Sequence, residues 1–243
     1  MLLLIVPIVI QVLLIVHVIK TGRNQLWIWV LAFLPLAGGI AYVAVEMIPE
    51  FWRGRTAQRT ARSVRKAMDP EADLRRYESE ARLGSNVASR QRYAQELVRH
   101  ERYAEAIDQY RQALSGLYEH DPNLMLGLAQ AQFGAGEAGA ARATLDELIR
   151  SNPEFRSPAG HLLYARALAA EGNAPKALEE YRVLVPGYPG AEAAVRYAQL
   201  LAENGERAQA QQVARELLDR ARVAPGHYRR AQREWLEAAA RLL

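Results

Sequence analysis

The chain has 243 residues, half of them apolar, a formal net charge of +4 and no cysteine. Lack of cysteine excludes disulfides, thiolate metal sites and a cysteine nucleophile. Residues 1–68 hold eight Lys/Arg against two Asp/Glu, so the remainder is slightly acidic and the basicity is not the footprint of a nucleic-acid binder.

Two apolar runs open the chain. The first is Leu2 to Ile19, interrupted only by Pro7, Gln11 and His17; the second is Leu26 to Val45, without a charge. As helices rising about 1.5 Å per residue, each covers the roughly 30 Å hydrocarbon core of a bilayer. The polar turn from Lys20 to Gln25 separates them. Trp27 and Trp29 at one end of the second run, and Phe51 and Trp52 past the other, sit where interfacial aromatics belong. A transmembrane hairpin over residues 1–50 is expected, retained rather than cleaved, because no basic n-region or small-residue cleavage site frames the first run. Pro35, Gly38 and Gly39 read as a kink and close packing within it. His17 and Glu46 lie near the ends of the runs, within reach of headgroups and water.

Past the second run stand Arg53, Arg55, Arg59, Arg62, Arg65 and Lys66, against only Lys20 and Arg23 in the turn. Basic residues stay inside, so both termini and the rest of the chain are expected in the cytoplasm; the high Ala and Arg content suggests a bacterial gene, and with it the inner membrane. Helical spacing puts Arg55, Arg59, Arg62 and Lys66 on one face, suited to an anionic lipid surface at about 1 kcal/mol per basic group; a plain topology signal has the same composition. Asp69 and Pro70 then open a short helix that Gly84 ends, so residues 51–86 read as a basic helical linker.

From residue 87 the chain repeats. Alanine pairs twelve residues apart recur at Ala94/Ala106, Ala129/Ala141, Ala165/Ala177 and Ala198/Ala210, offset by 35, 36 and 33 residues. In the same register come Tyr93, Leu128, Tyr164 and Tyr197; then Glu101, Gly136, Gly172 and Gly205; then Tyr110, Leu145, Tyr181 and Ala214. Each unit ends near a proline, at Pro122, Pro153, Pro189 and Pro225. Antiparallel helices approach closely only where facing side chains are small, glycine accepts the positive φ of a tight turn, and proline ends one unit and begins the next. Residues 226–243 read as one amphipathic helix with Tyr228, Ala231, Trp235, Ala239 and Leu242 on a stripe, covering the exposed end of the stack or docking a partner.

Residues 87–225 resemble the tetratricopeptide repeat, most clearly in Tyr103-Ala104-Glu105-Ala106-Ile107-Asp108-Gln109-Tyr110 and Ala177-Leu178-Glu179-Glu180-Tyr181. The family's early Trp is replaced by Arg90, Met125, His161 and Ala194, and its first-helix Gly by Ala. The resemblance implies an all-α chain: a membrane hairpin, then an α-solenoid of about four helix pairs, then a cap. It also implies that first helices line a groove, here Arg92, Gln95, Arg99, Gln130, Phe133, Arg166, Arg196 and Gln199, fitted to an acidic or C-terminal peptide; a solvated helix face has the same composition. The Lys/Asn carboxylate clamp of chaperone-tail binders is not reproduced at Gln91, Gln95, Gly127, Ala159 and Leu163.

Trp29 through Tyr42 is similar to the hairpin ahead of the catalytic part of cardiolipin-synthase-type phospholipases D, which implies an anchor. The H-x-K signature of those enzymes is absent. His17, His100, His120, His161 and His227 are dispersed without metal-ligand spacing, and no hydrolase, P-loop or zincin motif occurs. The sequence thus leads to an adaptor or assembly factor without catalytic residues, cofactor or metal, recruiting a protein partner to the membrane. The rivals are an accessory subunit of a membrane enzyme or transporter and a lipid-handling enzyme.

Overall fold

The computed structural model describes residues 14–16, 18, 20, 26–33, 69, 71–84 and 86–243. The chain divides into two compact units, residues 1–72 and 73–243. In the first, α1 spans Leu26–Phe33. Val18 and Leu31 are buried together, with Leu14, Ile15 and Trp27 packed around them, while Val16, Leu26 and Trp29 are exposed. Among the described residues no helix is long and apolar enough to cross a membrane. Most of both apolar runs, His17, Glu46, the phospholipase-like stretch beyond Phe33, and Arg55, Arg59, Arg62 and Lys66 lie outside the described residues.

The second unit contains no strand among the described residues. Its elements are α2 (Ala72–Gly84), α3 (Val87–Arg99), α4 (Tyr103–Ala113), α5 (Pro122–Gly134), α6 (Ala138–Ser151), α7 (Pro158–Ala170), α8 (Ala174–Leu184), α9 (Glu192–Glu203), α10 (Arg207–Val223), α11 (Gly226–Ala231) and α12 (Arg233–Ala240). Single 3₁₀ turns at Gly116–Tyr118 and Val185–Gly187 follow α4 and α8. The pairs α3/α4, α5/α6, α7/α8 and α9/α10 make the most extensive contacts in the unit. This is an all-α solenoid of four helix pairs.

The alanine register is the packing register. Ala94, Ala106, Ala129, Ala141, Ala165, Ala177 and Ala198 are wholly buried and Ala210 is 1% exposed. A methyl group is all the room there is at each crossing. Large side chains fill the space beside it: Tyr110, Leu145 and Tyr181 are each 2% exposed, and burying a side chain of this size contributes about 1.5–3 kcal/mol. From the linker segment, α2 adds Leu74 and Ala81 to the core cluster of the first pair.

One turn joins the two helices of every pair. Glu101, Gly136, Gly172 and Gly205 have φ of 59°, 83°, 79° and 88°. In each case the next residue donates its N–H five positions back, Arg102 to Leu97, Glu137 to Gln132, Asn173 to Leu168 and Glu206 to Leu201, at 2.8–2.9 Å. These are Schellman stops, which satisfy the last carbonyls of the first helix. Glycine takes the left-handed conformation without a Cβ penalty at three of them; Glu101 bears it.

First helices start by side-chain capping. Asn86 accepts from Ser89 N at 2.7 Å, Asp121 from Asn123 N and Leu124 N at 2.9 Å, and Ser157 from Gly160 N at 3.0 Å. Such caps occupy N–H groups that have no partner within the helix. The fourth first helix, α9, has Ala191 at its N-cap. Here Gln232 supplies the acceptor from far along the chain, its Oε1 taking the Ala191 N–H at 2.9 Å.

That contact corrects the expected final helix. The segment breaks at Gln232, with φ −102° and ψ 11°, into α11 and α12. Ala231 is therefore exposed rather than on the packed stripe. Trp235, Ala239 and Leu242 pack as the stripe required, joined by Leu236 and Ala238 over Val195, Ala214 and Leu217. The solenoid's end is covered by α12.

Candidate functional site

The eight residues expected along the first helices do not form one continuous surface of equal character. Arg92, Gln95 and Arg99 on α3 and Gln130 on α5 are exposed, and Gln199 on α9 is half-buried. Arg99 is held by Glu96 of its own helix at 2.9 Å. Phe133, Arg166 and Arg196, from three successive first helices, form a cluster.

Its geometry is a ladder of planar groups. The Arg166 guanidinium lies 4.6 Å from the centre of the Phe133 ring, and that of Arg196 lies 5.1 Å from Trp235 on α12. Cation–π contacts of this kind contribute roughly 0.5–2 kcal/mol. Between the two arginines stands Glu192, the first residue of α9. Its Oε1 accepts from Arg196 Nε at 2.7 Å and is 3.8 Å from Arg166 Nη1. Glu192 sits four residues before Arg196, the spacing at which helix side chains meet.

Arg166 is the less satisfied of the two. Its Nε is buried and has no hydrogen-bond acceptor among the described residues. Burial pulls its pKa below the usual arginine value, and the charge of Arg196 adds to this, while Glu192 opposes it. A guanidinium with an unpaired buried donor costs on the order of 1–3 kcal/mol, recovered when an acceptor arrives. Beside Glu192 opens a cleft of about 340 Å³ between Tyr188, Pro189, Gly190, Gln232 and Trp235. Burial raises the Tyr188 pKa, with Glu192 and then the two arginines as further influences.

Sequence reasoning missed Glu192, Tyr188 and Gln232, and placed Trp235 only in the cap. The Glu192–Arg196 pair was visible as an i,i+4 couple. The contacts of Trp235 and Gln232 span about forty residues and carry no periodic signal.

A larger cavity of about 630 Å³ lies between α6, α7 and α8, walled by Leu145, Leu148, Phe155, Val183 and Leu184. Two hydrogen-bonded pairs are among its polar lining: the Tyr164 hydroxyl donates to Asp146 Oδ1 at 2.9 Å, and His161 Nε2 meets Glu180 Oε2 at 2.7 Å. Arg142 holds Asp146 at 2.8 Å and reaches Glu171 at 2.6 Å. The Tyr164–Asp146 and Arg142–Glu171 bonds tie the second helix pair to the third. No group of His, Asp and Glu that would hold a metal ion occurs among the described residues.

Residues 97–166 match the family model of the tetratricopeptide repeat. The chain superposes on TTC0263, a thermophilic repeat protein of Thermus thermophilus, with TM-score 0.54 at 16% identity, covering 75% of this chain and 96% of that one. The array is a tetratricopeptide-type solenoid. Pseudomonas aeruginosa pilF gives a TM-score of 0.52 at 19% identity over 92% of this chain and 96% of its own. YrrB, described as a tetratricopeptide protein with an unusual peptide-binding site, gives 0.50 at 21% over 65% and 81%. No curated protein sequence matches the chain. In tetratricopeptide terms the ladder runs along the first-helix side, and the larger cavity involves both helices of the third repeat.

Proposed function

We propose that this protein is a membrane-anchored adaptor whose tetratricopeptide array binds an acidic or C-terminal peptide of a partner protein. The observation that carries the reading is the Phe133–Arg166–Arg196–Trp235 ladder, in which two cations lie over aromatic rings and one keeps a buried donor without an acceptor. A carboxylate is the group that such a fork of donors recognises. Arg92, exposed on α3 and without an ion pair among the described residues, extends positive charge toward the first repeat. YrrB's peptide-binding site supports the use of this fold for peptides.

Two spans within residues 1–50, the second resembling the phospholipase-type anchor, hold the array at the inner face of a bacterial cytoplasmic membrane with both termini cytoplasmic. Their length, their flanking aromatics and the basic segment after them support this placement. Arg55, Arg59, Arg62 and Lys66 rest on anionic headgroups. The protein performs no chemistry of its own.

The test is capture of partners by the full chain beside a form with Arg166 and Arg196 replaced by alanine. A partner retained equally by both forms ends the assignment of this face. Deleting residues 1–50 addresses the rival role of accessory subunit: an adaptor keeps its partner in solution, whereas a subunit held through its spans loses it.

A further inference from the structure

The ladder holds a carboxylate already. Glu192 Oε1 lies between the two guanidiniums, bonded to one at 2.7 Å and facing the other at 3.8 Å. Without it two positive groups would face each other across the first-helix side, as the depressing effect of Arg196 on Arg166 shows. No other unit of the repeat supplies an acid at this register, where Ala88, Asn123 and Ala159 stand. Glu192 is therefore a local feature, added where the arginines are, and not part of the packing code.

Three properties suit it to exchange. Its side chain is 22% exposed, and those of Arg166 and Arg196 are 31% and 29% exposed, so the pair is neither sealed nor fully solvated. It bonds one arginine well and the other poorly, leaving Arg166 Nε unpaired. It also borders the cleft of Tyr188, Pro189 and Trp235, which gives an incoming chain a place for an apolar side chain beside its acid.

We propose that Glu192 is an internal stand-in for the ligand: it occupies the Arg166–Arg196 pair in the free protein and is displaced by an acidic side chain of the partner peptide, setting the threshold affinity of the site. The inference rests on the peptide-binding reading above. The occupant is assigned as a side-chain carboxylate because the resident it replaces is one, and the cleft selects acids that lie next to an aromatic or aliphatic residue. Displacement lets both arginines close on the newcomer and swings Glu192 toward solvent.

The test is titration of the full chain with a peptide of sequence Gly-Glu-Phe-Glu-Gly blocked at both ends, followed by calorimetry and by the fluorescence of Trp235, assigned by difference against Trp235→Phe. Glu192→Gln keeps the size of the side chain and removes the competing charge. Its affinity for the blocked peptide is expected to rise about fivefold over the unsubstituted chain, because apparent affinity scales with the fraction of sites free of their resident. Arg166→Ala is expected to abolish binding in both backgrounds, and the Gln-for-Glu version of the peptide to bind neither. Circular dichroism of each variant verifies that the helices persist.

Unchanged or weaker binding by Glu192→Gln, while the unsubstituted chain binds in an Arg166-dependent way, overturns the stand-in and leaves the peptide-binding function intact. Binding only by a version of the peptide with a free C-terminal carboxylate overturns the choice of a side-chain acid. Binding of neither peptide by any form removes the inference together with the acidic-peptide reading on which it rests.

Discussion

Glu101 is the place where the repeat contradicts its own rule. At the three equivalent turns a glycine sits at φ of 79–88°; Glu101 sits at 59° with the same pair of Schellman bonds. For an L-residue the left-handed conformation costs roughly 1–2 kcal/mol. Replacement by glycine removes that cost but gives the unfolded chain more freedom, a loss of about 0.4–1 kcal/mol. The side chain is exposed and makes no hydrogen bond that would be forfeited among the described residues. The balance is a gain of about 0.5–1 kcal/mol for Glu101→Gly, the difference of those two costs. In a chain of this size that raises the thermal midpoint by about 1–4 °C. Gly136→Ala runs the same subtraction backwards, and nothing lies within 4 Å of its added Cβ, so its loss isolates the backbone term. Thermal and urea unfolding followed by helical circular dichroism measure both. A lower midpoint for Glu101→Gly, or a shift of the two variants in the same direction, would refute the assignment of strain to this turn.

Three further outcomes follow from the packing. At Gly127 an added methyl group collides with the ring of Tyr110, which is 2% exposed and cannot yield; Gly127→Ala is expected to destabilise by about 1–3 kcal/mol despite its better helix propensity, as a urea midpoint would record. Tyr110 and Tyr181 have pKa values pushed up to about 12 by burial, and Tyr164 likewise by burial and then by its bond to Asp146. Their unfolded forms ionise near 10, so stability is complete below that pH and falls as pH rises from about 10 to 12; tyrosinate absorbance and loss of helix should appear together, and ionisation of all tyrosines near 10 with the helices intact would contradict it. Gln232→Ala uncovers the Ala191 N–H and should cost about 1–2 kcal/mol, with hydrogen exchange quickening first at the start of α9 rather than along α3.

The parts of this molecule that were legible in its sequence are those fixed by local rules repeated four times. Ala94 to Ala210 announce the crossings because only one side-chain size fits there, and Gly136, Gly172 and Gly205 announce the turns because only one backbone conformation closes them. Glu101 could be placed in that set by register alone. The site was half legible. Phe133, Arg166 and Arg196 follow from the first-helix register, but Glu192 acquires its role from two arginines on different helices, and Trp235 from a helix that the chain folds back upon the fourth repeat. The break at Gln232 was hidden for a related reason: the force that makes it is a hydrogen bond to a backbone group forty-one residues earlier, while its own neighbours, Ala231 and Arg233, are ordinary helix formers.

The ladder also bears on how such a protein can grow. Each helix pair turns on the same left-handed stop between its two helices, so an in-frame copy of one unit would bring its own turn and add a pair to the stack. The planar groups do not share that freedom, since Phe133 belongs to the second pair, Arg166 to the third, Arg196 to the fourth and Trp235 to the terminal helices. Inserting a unit between the second and third pairs or after the fourth would part a ring from its cation, and inserting one between the third and fourth would part Arg166 from Glu192. Folding alone leaves the number of repeats open; it is the chain of stacked neighbours that would penalise any lineage for changing the count.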